Sequence, residues 1–154
     1  MKNVFAAAVI AAVLHGLAWF GTLETPVLPD ITGKVESLSF NVGAPREVWF
    51  GRPASLRDVT HALDVVRPVA HTIRTYTVSG IQAQVPALAK QRGIDVMLGL
   101  WLGRDADANR QEIETAVNLV RKYSNISAVV VGNETLLRED MTESALIDII
   151  REVR

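Results

Sequence analysis

Strand and helix patterns alternate four times between Val35 and Arg154, which predicts a parallel α/β fold made of consecutive βα units. Two further observations support that class. The strand patterns are unbroken apolar runs, Val129-Val130-Val131 being the plainest, as parallel strands covered on both faces should be. That run then breaks into Gly132-Asn133-Glu134 at its carboxyl end, and in α/β barrels that end of each strand carries the working groups.

The elements follow in chain order. Lys2 precedes an apolar stretch from Val4 to Phe20 that is interrupted only by His15 and small residues. At about 17 residues it lies at the lower limit of a membrane span and the upper limit of a signal-peptide apolar region. Leu17-Ala18-Trp19-Phe20-Gly21 is too bulky for a small-x-small cleavage site, so residues 1–22 read as an uncleaved signal anchor ahead of a cleaved signal peptide. Residues 23–33 hold Pro26, Pro29 and Gly33 without periodicity and read as a linker.

Val35 to Val42 reads as the first strand, and Ser55 to Val69 as the first helix of the domain. Ser55 and Asp58 have capping-box spacing, and Leu56, Val59, Leu63 and Val66 form the apolar stripe. His71 to Val78 is the second strand, followed by a short helix ending near Arg92-Gly93 with Pro86 in its first turn. Ile94 to Leu102 is the third strand, and Asn109 to Tyr123 the next helix, with Ile113, Ala116, Val117 and Val120 on one face. Ile126 to Val131 is the fourth strand. Thr142 or Asp140 caps the last helix, whose stripe is Leu146, Ile149, Ile150 and Val153.

Four βα units fit either an open doubly wound sheet or half of a (β/α)8 barrel. The open sheet calls for a phosphate loop after its first strand, and Asn41-Val42-Gly43-Ala44-Pro45-Arg46 lacks the G-x-G-x-x-G spacing. A long loop through Trp49, Phe50 and Gly51 follows instead, which favours the barrel. A whole barrel takes about 250 residues. Residues 34–154 therefore read as the first half, four βα units, of a (β/α)8 TIM barrel, truncated and preceded by a membrane anchor helix.

The chain is 49% hydrophobic, with 16 basic and 17 acidic side chains and a formal net charge of -1. No basic excess suits a nucleic-acid backbone, and the balance fits a neutral partner such as a sugar. Cysteine is absent, which excludes disulfides and thiolate metal sites. His15, His61 and His71 are too scattered to hold a metal.

Three strand ends carry the chemistry: Ile73-Arg74-Thr75-Tyr76-Thr77-Val78, Met97 to Asp105 through Trp101, and Val131-Gly132-Asn133-Glu134-Thr135-Leu136-Leu137-Arg138. Together they resemble glycoside hydrolase family 17, especially its bacterial membrane-anchored β-1,3-glucan members. The resemblance runs from about Val35 to Arg154, the first half of that family's barrel. It implies a retaining enzyme acting on β-1,3-glucan, by hydrolysis or by transfer of a glucanosyl unit. Glu134 matches the general acid/base, and Asn133 the residue that bonds the sugar 2-hydroxyl. Tyr76 and Arg74 match strand-two residues lining the site, and Trp101 matches an aromatic position for stacking on glucose. The plant members carry a Tyr after the first-strand Asn, whereas Val42 follows Asn41 here.

The chemistry asks for these residue types on its own account. One carboxyl protonates the glycosidic oxygen, and a second, about 5 Å away in retaining enzymes, attacks the anomeric carbon. The resemblance places that nucleophile on a seventh strand, beyond these four units, so the chain by itself is expected to be inactive. Glu36 and Asp95 lie at strand starts, Asp105 lies in a loop, and Glu139 and Asp140 lie at a capping turn, so none replaces it. Plainer roles stand beside the catalytic ones: Tyr76 and Trp101 as core-edge aromatics, Arg104 and Asp105 closing a turn, and Arg110, Glu112, Glu114, Arg121 and Lys122 as a solvated helix face.

The resulting expectation is a glycosidase or transglycosylase on β-glucan, without metal or cofactor, held at a bacterial inner membrane with its domain periplasmic or extracellular. Association with a glucan synthase is the partner expected besides membrane and glucan. The alternative is a non-catalytic glucan-binding or scaffolding domain of such a synthase.

Overall fold

A computed structural model describes residues 2–22, 30–42 and 53–154. Pro26 and Pro29 of the expected linker, and the expected loop from Gly43 through Trp49 to Gly51, lie outside the described residues. The chain divides into two compact units, Met1–Ile31 and Thr32–Arg154.

The first unit is one helix, α1, Lys2–Thr22, in which every residue is solvent-exposed. Its mean hydropathy reaches 2.0, and its 21 residues make it long and apolar enough to cross a membrane by length and composition. Thr22 ends it by donating its hydroxyl back to the carbonyls of Ala18 and Trp19, each at 3.0 Å.

The second unit is a four-stranded parallel sheet in the order β1-β2-β3-β4, with helices in the connections. Its elements are β1 (Val35–Ser39), α2 (Leu56–Val66), β2 (Ala70–Arg74), a 3-10 turn (Gly80–Gln84), α3 (Val85–Lys90), β3 (Asp95–Leu100), α4 (Ala106–Lys122), β4 (Ile126–Val131) and α5 (Glu143–Val153). Sequential neighbours pairing in parallel is the wall of a (β/α)8 barrel over half its circumference, as the sequence predicts.

The helix starts follow local chemistry. Ser55 and Asp58 close a full capping box at α2. Pro86 stands in the first turn of α3, where its missing N–H costs nothing. Thr142, the first of the two capping candidates, accepts from the Ala145 N–H at 3.3 Å and starts α5. α4 begins earlier than its periodicity suggests, at Ala106, because the Asp105 carboxylate accepts the N–H groups of Asp107 and Ala108.

Leu98 and Leu100 pair with Val129 and Val131 on the helix-facing side of the sheet. With Phe40, Ile73 and Val96 they bury against Val59 and Leu63 of α2, Val85 and Ala89 of α3, and Ala116 of α4. The opposite face carries Ser39 beside Arg74, Arg74 beside Met97, and Met97 beside Ala128 in register. A one-residue irregularity at Ser127 moves β4 back into step, so that Ala128 rather than Ser127 opposes Met97.

Three strands end before their sequence patterns do: β1 at Ser39 rather than Val42, β3 at Leu100 rather than Leu102, and β2 by the widest margin. β2 stops at Arg74 instead of continuing to Val78, because the backbone at Thr75 leaves the ladder and turns over β3. This departure shapes the site.

Candidate active site

The carboxyl ends of the four strands meet along one edge of the sheet, and the polar side chains singled out in the sequence lie there. Arg74 at the end of β2 donates from Nη2 to Asn133 Oδ1 at 3.3 Å, joining the second strand to the fourth across β3. The Arg74 guanidinium also lies 5.0 Å from the centroid of the Tyr76 ring. Tyr76 in turn donates its hydroxyl to Ser39 Oγ of β1 at 2.8 Å. Ser39, Tyr76, Arg74 and Asn133 therefore form one polar chain from the first strand to the fourth.

Tyr76 holds its place through its neighbour. Thr75 is buried, donates its N–H to the Met97 carbonyl at 3.0 Å, and accepts the Gly99 N–H on Oγ1 at 3.0 Å. Only a glycine at position 99 leaves room for this crossing, since a Cβ there would stand 2.1 Å from the Thr75 carbonyl oxygen.

Glu134 follows Asn133 with an exposed side chain and a backbone φ of 51, in the left-handed region that few non-glycine residues occupy. Gly132 just before it has φ 81. The strand-to-loop exit is thus tightly bent, and such strained positions concentrate at functional sites. Among the described residues no hydrogen bond or ion pair engages the Glu134 carboxylate. Arg74, the nearby cation at the end of β2, binds Asn133.

Trp101 projects just past β3, half exposed, with the Arg138 guanidinium 4.2 Å from its ring centroid. Arg138 also donates to the carbonyls of Leu102, at 3.0 Å, and Asn133, and pairs with Asp140 at 2.8 Å. Asp140 takes a second cation, Arg104, at 3.5 Å. Asp140 and Arg104 thus brace the exit loop; the helix cap belongs to Thr142 and the turn-closing carboxylate to Asp105.

Glu112 departs from expectation most. The sequence places it on a solvated helix face, yet it is buried, and its carboxylate accepts the Val78 N–H at 2.9 Å, the Ser79 hydroxyl at 2.6 Å and the Trp101 N–H at 3.0 Å. One side chain of α4 thereby ties the exits of β2 and β3 together, fixing the backbone beside Tyr76 and Trp101. Arg110 and Glu114 lie two residues to either side of it, and only its place on the same face as the apolar stripe residue Ala116, one turn on, hints at burial.

No group of three or more His, Cys, Asp or Glu residues able to hold a metal occurs among the described residues. The arrangement presents one free carboxylate, an amide fixed by an arginine, and two aromatic rings, along an open edge. It suits proton transfer beside a neutral polyhydroxyl ligand.

Comparison with known proteins addresses the family and the fold. The chain is 30% identical over 143 residues to the glucan 1,3-beta-glucosidase BGL2 of Candida albicans, covering 88% of this chain and 44% of that protein. It is 29% identical over 125 residues to a glucan 1,3-beta-glucosidase of Saccharomyces cerevisiae, covering 78% and 39%. The chain therefore spans less than half the length of these relatives. The crystal structure of a glycoside hydrolase family 17 beta-1,3-glucanosyltransferase from Rhizomucor miehei matches with a TM-score of 0.64 at 23% identity, over 76% of this chain and 43% of that one. An active-site mutant of the Rhizomucor enzyme in complex with laminaritriose matches at the same TM-score and 21% identity, over 77% and 43%. At those identities the two structures establish the shared half-barrel fold. The BtgE/BtgC glycoside hydrolase domain matches residues 47–154. The family-17 resemblance read from the strand ends is borne out, and the chain belongs to the BtgE/BtgC glycoside hydrolase domain family.

Proposed function

We propose that this chain supplies the acid/base half of a retaining glycosidase or glucanosyltransferase acting on β-1,3-glucan. The observation that carries the reading is Glu134: an unpaired carboxylate on a bent exit from β4, directly after an Asn133 whose amide is oriented by Arg74. The relatives named above are glucan 1,3-beta-glucosidases and a beta-1,3-glucanosyltransferase, which supports the substrate class.

In this mechanism Glu134 protonates the glycosidic oxygen as the bond to the anomeric carbon breaks. A second carboxylate, about 5 Å from it, takes the glycosyl group, and Glu134 then removes a proton from water or from an acceptor sugar hydroxyl. Arg74 occupies Asn133 Oδ1, which leaves Nδ2 to donate to the sugar 2-hydroxyl. Tyr76 lines the cleft beside Arg74, and Trp101 offers its open face to a glucose ring. Charge neutrality of the partner agrees with the chain's formal net charge of -1.

The same proposal has α1 anchoring the chain in a membrane with the domain outside it. The bacterial inner membrane and an associated glucan synthase belong to this reading; the relatives named above are fungal. Flotation of the protein with phospholipid vesicles, lost on deletion of residues 2–22, tests the anchor.

The test of function is Glu134→Gln in the full-length protein, assayed on laminarin. Turnover is expected to fall at least about 100-fold with laminaritriose still bound. Unchanged turnover refutes the assignment of Glu134. A parent protein that binds laminaritriose and never turns it over favours the glucan-binding alternative.

A further inference from the structure

We propose that Arg138 is a positioning residue that sets the backbone conformation of Glu134. The inference rests on the reading of Glu134 as the acid/base. Glu134 needs holding, because its φ of 51 is unfavourable for a residue with a Cβ. Two peptide groups flank its Cα, and Arg138 engages the carbonyls of both. The Asn133 carbonyl, in the peptide before Glu134, accepts from Arg138 Nη1. The Glu134 carbonyl, in the peptide after it, accepts the Arg138 N–H at 2.9 Å. Both backbone torsions of Glu134 are thus fixed by one residue.

The rest of the guanidinium is committed inward. Nη2 donates to the Leu102 carbonyl at 3.0 Å, Nε donates to Asp140 at 2.8 Å, and the flat face covers the Trp101 ring. These contacts of Arg138 bear on a substrate through Glu134, whose backbone they hold. A lysine keeps the charge but cannot supply three divergent donors and a planar face at once.

The experiment uses Arg138→Lys and Arg138→Gln in the full-length protein, so that a variant that fails to fold leaves the other to answer. The value of kcat/KM, which reports formation of the glycosyl-enzyme, is measured on laminarin and on 2,4-dinitrophenyl β-laminaribioside. The sugar leaving group of laminarin needs a proton and dinitrophenolate does not. A misplaced acid is expected to lower kcat/KM on laminarin about 30-fold or more and on the aryl glycoside less than about threefold. Equal losses on both substrates, or no loss on either, overturn the proposal, since a general loss of folded enzyme does not discriminate leaving groups. Glu134→Gln is the reference. If it shows no such split, the assignment of Glu134 fails; if it splits and the Arg138 variants do not, only the positioning role fails.

Discussion

The backbone of Thr75 passes so close over Gly99 that a Cβ at position 99 would meet the Thr75 carbonyl oxygen at 2.1 Å and the Tyr76 Cα at 2.7 Å. The contact is locked by the Gly99 N–H donating to Thr75 Oγ1 and the Thr75 N–H donating to the Met97 carbonyl, both at 3.0 Å. Tyr76 is delivered to the site by this crossing. Both atoms facing Gly99 are backbone, so neither yields by a rotamer change. Gly99→Ala is therefore expected to destabilise the fold by about 3 kcal/mol or more, at the upper end of overpacking costs. Chemical denaturation of parent and variant checks it, and a loss below about 1 kcal/mol would show that the crossing is slack.

A second prediction concerns Glu112. Its Oε1 accepts the N–H groups of Val78 and Trp101, and its Oε2 accepts the Ser79 hydroxyl. Glu112→Gln keeps an oxygen for the two N–H groups and lets the Ser79 hydroxyl turn to accept, so about 1 kcal/mol is expected to be lost. Glu112→Ala strands two buried donors and opens a hole, and about 3–5 kcal/mol is expected. Equal costs for the two variants would contradict the hydrogen-bonding role.

How these two residues escape a reading of the sequence is physical. Periodicity and caps locate four strands and their helices, since Ser55, Pro86 and Thr142 act within a few residues of themselves. The carboxyl-end rule then brings Glu134, Asn133, Arg74, Tyr76 and Trp101 to one edge from the strand assignments alone. Glu112 acts over 34 residues on Val78 and 11 on Trp101, and nothing in its neighbourhood announces a buried partner. The same holds for Thr75 and Gly99, 24 residues apart, whose contact exists only because β2 ends early. The β-branched and aromatic run Thr75-Tyr76-Thr77-Val78 conceals that ending, because Val78 buries in the core beyond the ladder while Tyr76 and Thr77 stay partly exposed.

Asp64 gives a pH-dependent test. Its hydrogen bond from Arg92 Nε at 2.7 Å, with the Arg92 charge adding to it, holds the carboxyl below its ordinary value of 3.8, against some opposing burial. A pKa lowered in the folded state means stability contributed above the unfolded carboxylate range and lost as pH falls through the folded value. Asp64 is exposed, so solvent and salt screen the pair. The Asp64 carboxyl is expected to titrate below 3.8 by NMR, while Asp64→Asn leaves the acid-unfolding midpoint almost unchanged. A large shift of that midpoint would assign the pair a structural weight its exposure denies it.

Trp101 offers a test of the glucan platform that is separate from the acid. Arg138 covers one face of its indole at 4.2 Å, and the residue is 46% exposed, so a sugar has the other face to stack on. Stacking acts alike on ground and transition states, and its loss should appear in KM rather than kcat. Trp101→Ala in the full-length protein is expected to raise KM for laminaritriose about tenfold, equivalent to about 1.4 kcal/mol, with kcat within about threefold. Trp101→Phe keeps an aromatic face and should recover most of that affinity. The opposite split, a fall in kcat at constant KM, would remove Trp101 from the platform. It would leave the ring as packing for Arg138, which bonds the carbonyls on either side of the Glu134 Cα.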